Sequence, residues 1–295
     1  MTLYTLPKKF HPDFREPFRK PTGPVQVDWS HPFVSGAESV LLFNKISKVP
    51  IDETGLNWVA DTAQDTTPFQ HEVVNRNLAF ARQDTGDTTG ICYKSDIIGD
   101  WGTSTPYYAM VIHTLIHTPA AANLAIWQIA DGIRDGSPQV LQNTRSSTTL
   151  GVYVGGNYRF TGIPTIPFEK HVTLIRFDGN NTYDFYDSAV GTWSVFSGGG
   201  TAKTSLRFWI GTGYFRELPC AFELFVAGSG SGIPSLAECK ERVKDPYAFL
   251  EPATPAVYLT QAVAAGPGRI MSSLANGGGL AGLGGIAGAG GGLAG

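Results

Sequence analysis

Residues 172–187 read VTLIRFDGNNTYDFYD, two runs rich in apolar and β-branched residues on either side of an Asp178-Gly179 dipeptide. Asp-Gly readily supplies the backbone that a hairpin loop needs, so 172–177 and 182–187 are expected to pair as neighbouring antiparallel strands. Upstream, 107–117 (YYAMVIHTLIH) is apolar on both parities, with Met110, Ile112 and Ile116 on one face and Ala109, Val111 and Leu115 on the other. A strand of that kind belongs in the middle of a sheet, covered on both sides.

Further short apolar runs bounded by turn signals occur at 40–43, 78–82, 90–94, 124–129, 150–154, 206–210 and 221–227. Many short strands at this spacing predict an all-β sandwich or barrel. Composition agrees: 42% apolar residues suffice for a sizeable core, while 16% charged residues, 36 Gly, 19 Pro and 12% aromatics suit strands and tight turns. One helix is predicted at 235–244. Ser235 and Glu238 form a capping box, Leu236, Cys239 and Val243 recur at helical spacing, and Asp245-Pro246 stops it. Its narrow apolar stripe places it on the sandwich surface, with Tyr247, Phe249 and Leu250 pinning the turn that follows.

The two flanks differ from this body. Residues 1–35 contain Pro7, Pro12, Pro17, Pro21, Pro24 and Pro32, a spacing that forbids helix and removes the donors a central strand needs. This extended arm interleaves Phe10, Phe14 and Phe18 with Arg15 and Arg19, aromatics that need burial on the chain's own domain or on a neighbouring subunit. Residues 36–255 are read as the sandwich and 256–295 as a linker and tail. The last twenty residues hold eleven Gly and no charge, and Gly279, Gly282, Gly285, Gly288 and Gly291 recur at every third position. That period matches a polyproline-II-like helix, which has no internal hydrogen bonds and must be satisfied by water or by adjacent strands. Self-packing or docking through Leu280, Leu283, Ile286 and Leu293 is the assembly reading of this tail; a flexible linker and a membrane-active segment are the alternatives.

A net charge of -3 provides no field to attract nucleic acid. Cys92, Cys220 and Cys239 form no C-x-x-C pair, so neither a disulfide framework nor a cysteine zinc site is expected. The amino-terminal segment lacks the apolar run of a signal peptide, no apolar stretch is long enough to span a membrane, and synthesis in the cytoplasm is the expectation.

No G-x-S-x-G, P-loop or H-E-x-x-H string occurs. His113 and His117 would lie on one strand face about 13 Å apart, too far for one metal ion. Asp178, Asn180 and Asn181 are explained by the hairpin without calcium, and no metal or other cofactor is expected. Trp101, Tyr158 and Trp193, in loop-like surroundings, are the candidates for stacking against a sugar.

The order of parts resembles the concanavalin-like (laminin-G-like) jelly-roll proteins found among the virion structural proteins of tailed bacteriophages. The residues that carry the resemblance are Asp28-Trp29-Ser30-His31-Pro32 before the first strand, and Asp245-Pro246-Tyr247 with Phe249 and Pro252 at the close. The resemblance implies a jelly-roll sandwich of two antiparallel sheets and a virion component, made in the host bacterial cytoplasm, that decorates the head or neck or forms a fibre-like subunit. It implies as partners other virion proteins, further copies of the chain, a trimer among them, and a host surface glycan. A receptor-binding lectin is the alternative. A polysaccharide-degrading enzyme is less favoured, because the E-x-D-x-x-E string of the fold's enzymatic branch is absent; Asp184 and Asp187, three apart, read as hairpin surface residues on opposite faces. The expectation is therefore a non-enzymatic protein.

Overall fold

The computed structural model describes residues 19–21, 25–44, 49–61, 70–74, 77–81, 92–116, 118, 124–131, 139–154, 157–210, 216–217 and 220–253. Phe10, Phe14, Arg15, Phe18 and the whole Gly-rich tail, Gly279 to Leu293 included, lie outside them, as do His117 and the linker from 256.

In chain order the strands are β1 (Val25–Val27), β2 (Ser39–Leu41), β3 (Trp58–Asp61), β4 (Gln70–Val74), β5 (Asn77–Ala81), β6 (Cys92–Ser95) and β7 (Gly99–Trp101). They continue with β8 (Tyr107–Leu115), β9 (Leu124–Ala130), β10 (Val140–Ser146), β11 (Thr149–Val154), β12 (Asn157–Pro164) and β13 (Lys170–Phe177). The last are β14 (Thr182–Asp187), β15 (Trp193–Ser197), β16 (Lys203–Ile210), β17 (Arg216–Glu217), β18 (Cys220–Ser229) and β19 (Leu250–Pro252), with the helix α1 (Leu236–Arg242) between the final two.

Two sheets face each other in a jelly-roll-like sandwich. Sheet I runs β12-β11-β10-β9-β16-β6-β3, with β7 beside β16 and β17 beside β9; sheet II runs β15-β14-β13-β8-β18-β5-β4, with β2 beside β18. The pairing is antiparallel throughout except for the short parallel contact of Arg216 and Glu217 with Leu124 and Ala125.

The hairpin at 172–187 forms, in register Phe177↔Tyr183 through Thr173↔Asp187. Its loop is longer than a two-residue turn. Asp178 accepts on Oδ1 from the amides of Asn180 (2.6 Å) and Thr182 (3.0 Å), and Gly179 and Asn181 both take positive φ. Glycine is required at 179 on a second count, since a Cβ there would lie 2.7 Å from the Ser104 carbonyl oxygen.

β8 is the fully buried central strand that its two apolar parities predict. Ala109, Val111 and Leu115 point into the core between the sheets with Phe177, Tyr183, Phe208 and Phe225. Met110 and Ile112 point the other way, into a second core on the outer face of sheet II. That second core is closed by the two ends of the described chain. Phe33 and Val34 enter it from one side, and Cys239, Val243, Tyr247, Phe249 and Leu250 from the other. β1 pairs with β19, and the Asp28 amide donates to the Phe249 carbonyl at 2.9 Å.

Residues 25–34 thus take the first of the two placements open to the arm, on the chain's own domain. Val25–Val27 is a strand, and Phe33 and Val34 are wholly buried. An apolar strip with nothing to cover Met110 and Ile112 would expose a large hydrophobic patch, so this segment folds onto the sheet. α1 keeps its predicted capping box: Ser235 Oγ accepts from the Glu238 amide, and Glu238 accepts from the Ser235 amide at 2.7 Å.

Removing the ring that joins the two ends should be costly. Phe249→Ala deletes a fully buried side chain packed on Phe33, whose ring lies 6.1 Å away. The expected loss is about 3–5 kcal/mol in urea unfolding at unchanged m-value. A loss below about 1 kcal/mol would show that the second core contributes little to the cooperative unit.

Candidate functional site: the outer face of sheet I

Cross-strand registers align one row of side chains across seven strands of sheet I: Val59, Lys94, Trp209, Gln128, Leu141, Tyr153 and Tyr158. The alternation of strand side chains sets these residues on the face away from the main core, since their neighbours Phe208, Val140 and Val152 belong to that core, and the register shift in β12 brings Tyr158 beside Tyr153 although Phe160, two residues on, points inward. The middle of the row is covered, with Trp209, Gln128 and Leu141 at most 3% exposed. The β10–β12 end is open, and there the row meets Arg145, an exposed side chain.

The Arg145 guanidinium lies 3.8 Å from the centre of the Tyr158 ring, within the range of a cation–π contact. Tyr153 stands edge-on to Tyr158 with centroids 5.3 Å apart. Asn143 Nδ2 donates to the Tyr158 hydroxyl at 2.6 Å, fixing the ring from below. Gly151 makes this arrangement possible, because a Cβ at that position would come within 2.6 Å of Arg145 Cγ. Asn143 Oδ1 and Gln128 Nε2, on the same face, are buried without a hydrogen-bond partner. An exposed guanidinium held over one of two half-buried aromatic rings forms a surface suited to a polyhydroxylated ligand that carries an acidic group.

The three sequence-selected aromatics do not converge. Tyr158 belongs to this patch. Trp101 is a correction: it is 3% exposed and stacks on Tyr107 at 4.9 Å inside the main core, so no ring face is left for a ligand. Trp193 is half-buried on the opposite side of the sandwich, against Tyr186 at 5.5 Å. Arg145, Asn143 and Gly151 escape sequence reading because β10 (VLQNTRS) looks polar; only the pairing of β10 with β11 and β12 brings them together.

The core itself holds a polar chain. Trp127 Nε1 donates to Gln142 Oε1 (2.6 Å), Gln142 Nε2 to Thr173 Oγ1 (3.2 Å), and Thr173 Oγ1 to Asp187 Oδ2 (2.7 Å). Asp187 Oδ1 lies 3.1 Å from His171 Nδ1, and His171 stacks on His113 with centroids 5.1 Å apart. Asp187 is therefore buried rather than a surface hairpin residue, as is Asp184, which lies on the other face and is paired with Arg176 at 3.1 Å. Burial alone would raise the Asp187 pKa, yet His171, Thr173 and the Ala189 amide more than offset it and hold the carboxyl below its usual range. Burial, aided by His171, pushes His113 down to about 3, against the pull of Asp187.

A second polar cluster lies on the outer face of sheet II. Glu223 Oε2, fully buried, accepts from Lys170 Nζ (2.7 Å) and the Tyr247 hydroxyl (2.8 Å). Lys20 is 3% exposed, and burial lowers its pKa to about 7, with Glu223 raising it in part and Lys170 lowering it. Part of the Pro-rich arm is thus seated on the sandwich. Arg19, the one arm candidate among the described residues, is half-buried beside it. No group of three or more metal-ligating side chains occurs among the described residues, and no described helix is long and apolar enough to cross a membrane.

The His113 shift fixes a pH dependence. The folded-state value lies below the unfolded one, so between pH 6.5 and about 3 the unfolded chain binds the additional proton and stability falls as pH falls. Lowering the pH from 6.5 to 5 should remove about 2 kcal/mol through this group, at about 1.4 kcal/mol per unit. His113→Phe, which leaves no ring nitrogen to protonate, should flatten the unfolding free energy over that interval. Equal slopes in the two proteins would assign the acid sensitivity elsewhere.

No protein-family model matches the chain, and no curated protein matches it. Solved structures do match. Trypanosoma rangeli sialidase in complex with sialic acid superposes with a TM-score of 0.51 and 12% identity over 73% of this chain and 34% of the sialidase. The same sialidase with 2,3-difluorosialic acid, a covalent intermediate, gives 0.51 at 9% identity, again over 73% of this chain and 34% of that one. The globular domain of T. cruzi calreticulin gives 0.48 at 8% identity, over 72% of this chain and 94% of that one. The chain spans about a third of the sialidase's length, and at these identities the likeness is one of fold. It corrects the expectation of a non-enzymatic protein: the sandwich is shared with part of an enzyme's chain, so neither the fold nor the missing E-x-D-x-x-E string argues against catalysis. What this structure shares with solved proteins is thus an all-β sandwich that occurs within a sialidase.

Proposed function

We propose that this chain is a concanavalin-like component of a tailed-bacteriophage virion, anchored through its terminal segments and presenting the sandwich outward. The observation that carries this reading is that the two phrases behind the resemblance, far apart in sequence, form one joint. Asp28 turns the chain by accepting from the Ser30 amide (3.0 Å), and His31 Nδ1 accepts from the Phe33 amide (3.1 Å). The same turn then meets the closing phrase: His31 lies edge-on to Phe249 at 6.5 Å, and Phe33 stacks on it. The two strings therefore belong to one structural unit, and that supports reading them together. The joint also pairs Val25–Val27 with Leu250–Pro252 on the sheet II side, while the Arg145 patch lies on the other sheet.

Mass spectrometry of density-purified particles from a host carrying this sequence tests the assignment. The chain should co-purify with the particles, and a form lacking residues 276–295 should fold but incorporate at least tenfold less. Recovery of the full chain only from the particle-free fraction would overturn the reading.

A second reading, a glycan-binding role within the same particle, is favoured by the Arg145–Tyr158–Tyr153 patch. The ligand it fits is an acidic glycan, whose carboxylate would pair with Arg145 while a sugar face lies against an aromatic ring. Arg145→Ala should weaken binding to carboxylate-bearing glycans by tenfold or more on an array, and added salt should weaken wild-type binding in parallel. Equal binding by the variant would remove the patch from consideration.

A further inference from the structure

Among the described residues four strands end the two main sheet paths, and three of them carry features that discourage pairing with another chain. β12 holds Arg159, Pro164 and Gly162 at φ 80°, and two register shifts interrupt its pairing with β11. β4 contains His71 and Glu72, and β3 ends in Asp61. Charges, prolines and bulges of this kind are how natural sheets blunt their edges. β15 (WSVFS) has none of them. It is uncharged and proline-free, its pairing with β14 runs without a shift, and among the described residues no strand lies on its other side. Its central residue, Val195, is 63% exposed, more than any other large hydrophobic side chain described.

The strand is also held ready. On the inner face Phe196 stacks on Tyr183 at 4.5 Å, with the rings 2° from parallel. On the outer face Trp193 packs on Tyr186, and the Lys240 ammonium lies 6.0 Å from its ring. Little conformational freedom remains to be lost when a neighbour arrives.

We propose that β15 is a seam through which two copies of this chain join edge to edge, continuing sheet II of one into sheet II of the other. A two-fold axis through Val195 makes the strand its own complement. Val195 faces Val195 of the second copy, Trp193 faces Ser197, and Ser194 faces Phe196, with no like charges opposed. The free backbone donors and acceptors of each strand are met by those of the other, and the exposed valines are covered. Because the strand is uncharged, a second copy pairs with it without opposing like charges and covers both exposed valines, and the seam depends on neither the virion assignment nor the glycan patch.

Light scattering on the full chain, whose mass is 31.6 kDa, reads the seam directly. The wild type should be a dimer at tens of micromolar. Val195→Lys and Val195→Glu each place like charges across the axis and should weaken association at least tenfold, with unchanged circular dichroism and melting. Mixing the two variants in equal amounts should restore the dimer by opposing lysine to glutamate. A wild type that stays monomeric, a Val195→Lys protein with the wild-type mass, or a mixture that remains dissociated would each overturn the seam.

Discussion

The structure depends on covering the second face of sheet II. β8 is apolar on both parities, so packing against sheet I settles only half of it, and the side chains of Met110, Ile112, Leu174 and Val226 remain to be taken from water. The chain meets this with its own ends. The segment at 25–37 and the helix with its following turn converge on the sheet, joined by Phe33, Phe249 and the β1–β19 pair. Tyr108 ties the layers together, donating its hydroxyl to the Phe33 carbonyl at 2.8 Å while its ring meets Phe33 edge-on at 5.3 Å.

That closure divides the molecule into faces with different chemistry. The sheet II side is occupied by the chain's own segments and by the cluster of Lys20, Lys170, Glu223 and Tyr247, where one oxygen of a buried carboxylate accepts from both an ammonium and a phenol. The sheet I side has an open end with a guanidinium stacked on an aromatic ring, and among the described residues the edge at β15 has neither charge nor a further strand beside it. The proposed ligand contact and the proposed self-association thus fall on different surfaces of the sandwich.

The polar chain from Trp127 to His113 sits where an apolar filling would be the simpler solution. Each member except the histidine end has a partner, and Asp187 gathers three donors, which keeps a charged carboxylate tolerable in the core. The histidine end is less well provided. His113 has no hydrogen-bond partner on either ring nitrogen, and its burial disfavours the protonated form.

By itself the sequence determined the strand-rich class, the hairpin at 172–187, the double-sided burial of β8, and α1 with its cap, because each follows from local periodicity or from one turn chemistry. β10, β12 and β15 were not legible: their alternation is interrupted by Gln142, Asn143, Arg159 and Ser194, residues whose place is set by neighbouring strands rather than by near neighbours in the chain. Tyr158 could be picked out as an aromatic, but Trp101 looked the same and proved to be core. Only the tertiary structure decided between them, since exposure of a ring depends on which sheet face it occupies. Register decided the rest. It placed Arg145 over Gly151 and Tyr158, Asp187 beside His171, and Asp28 against Phe249, contacts between residues whose separation in sequence carries no periodic signal.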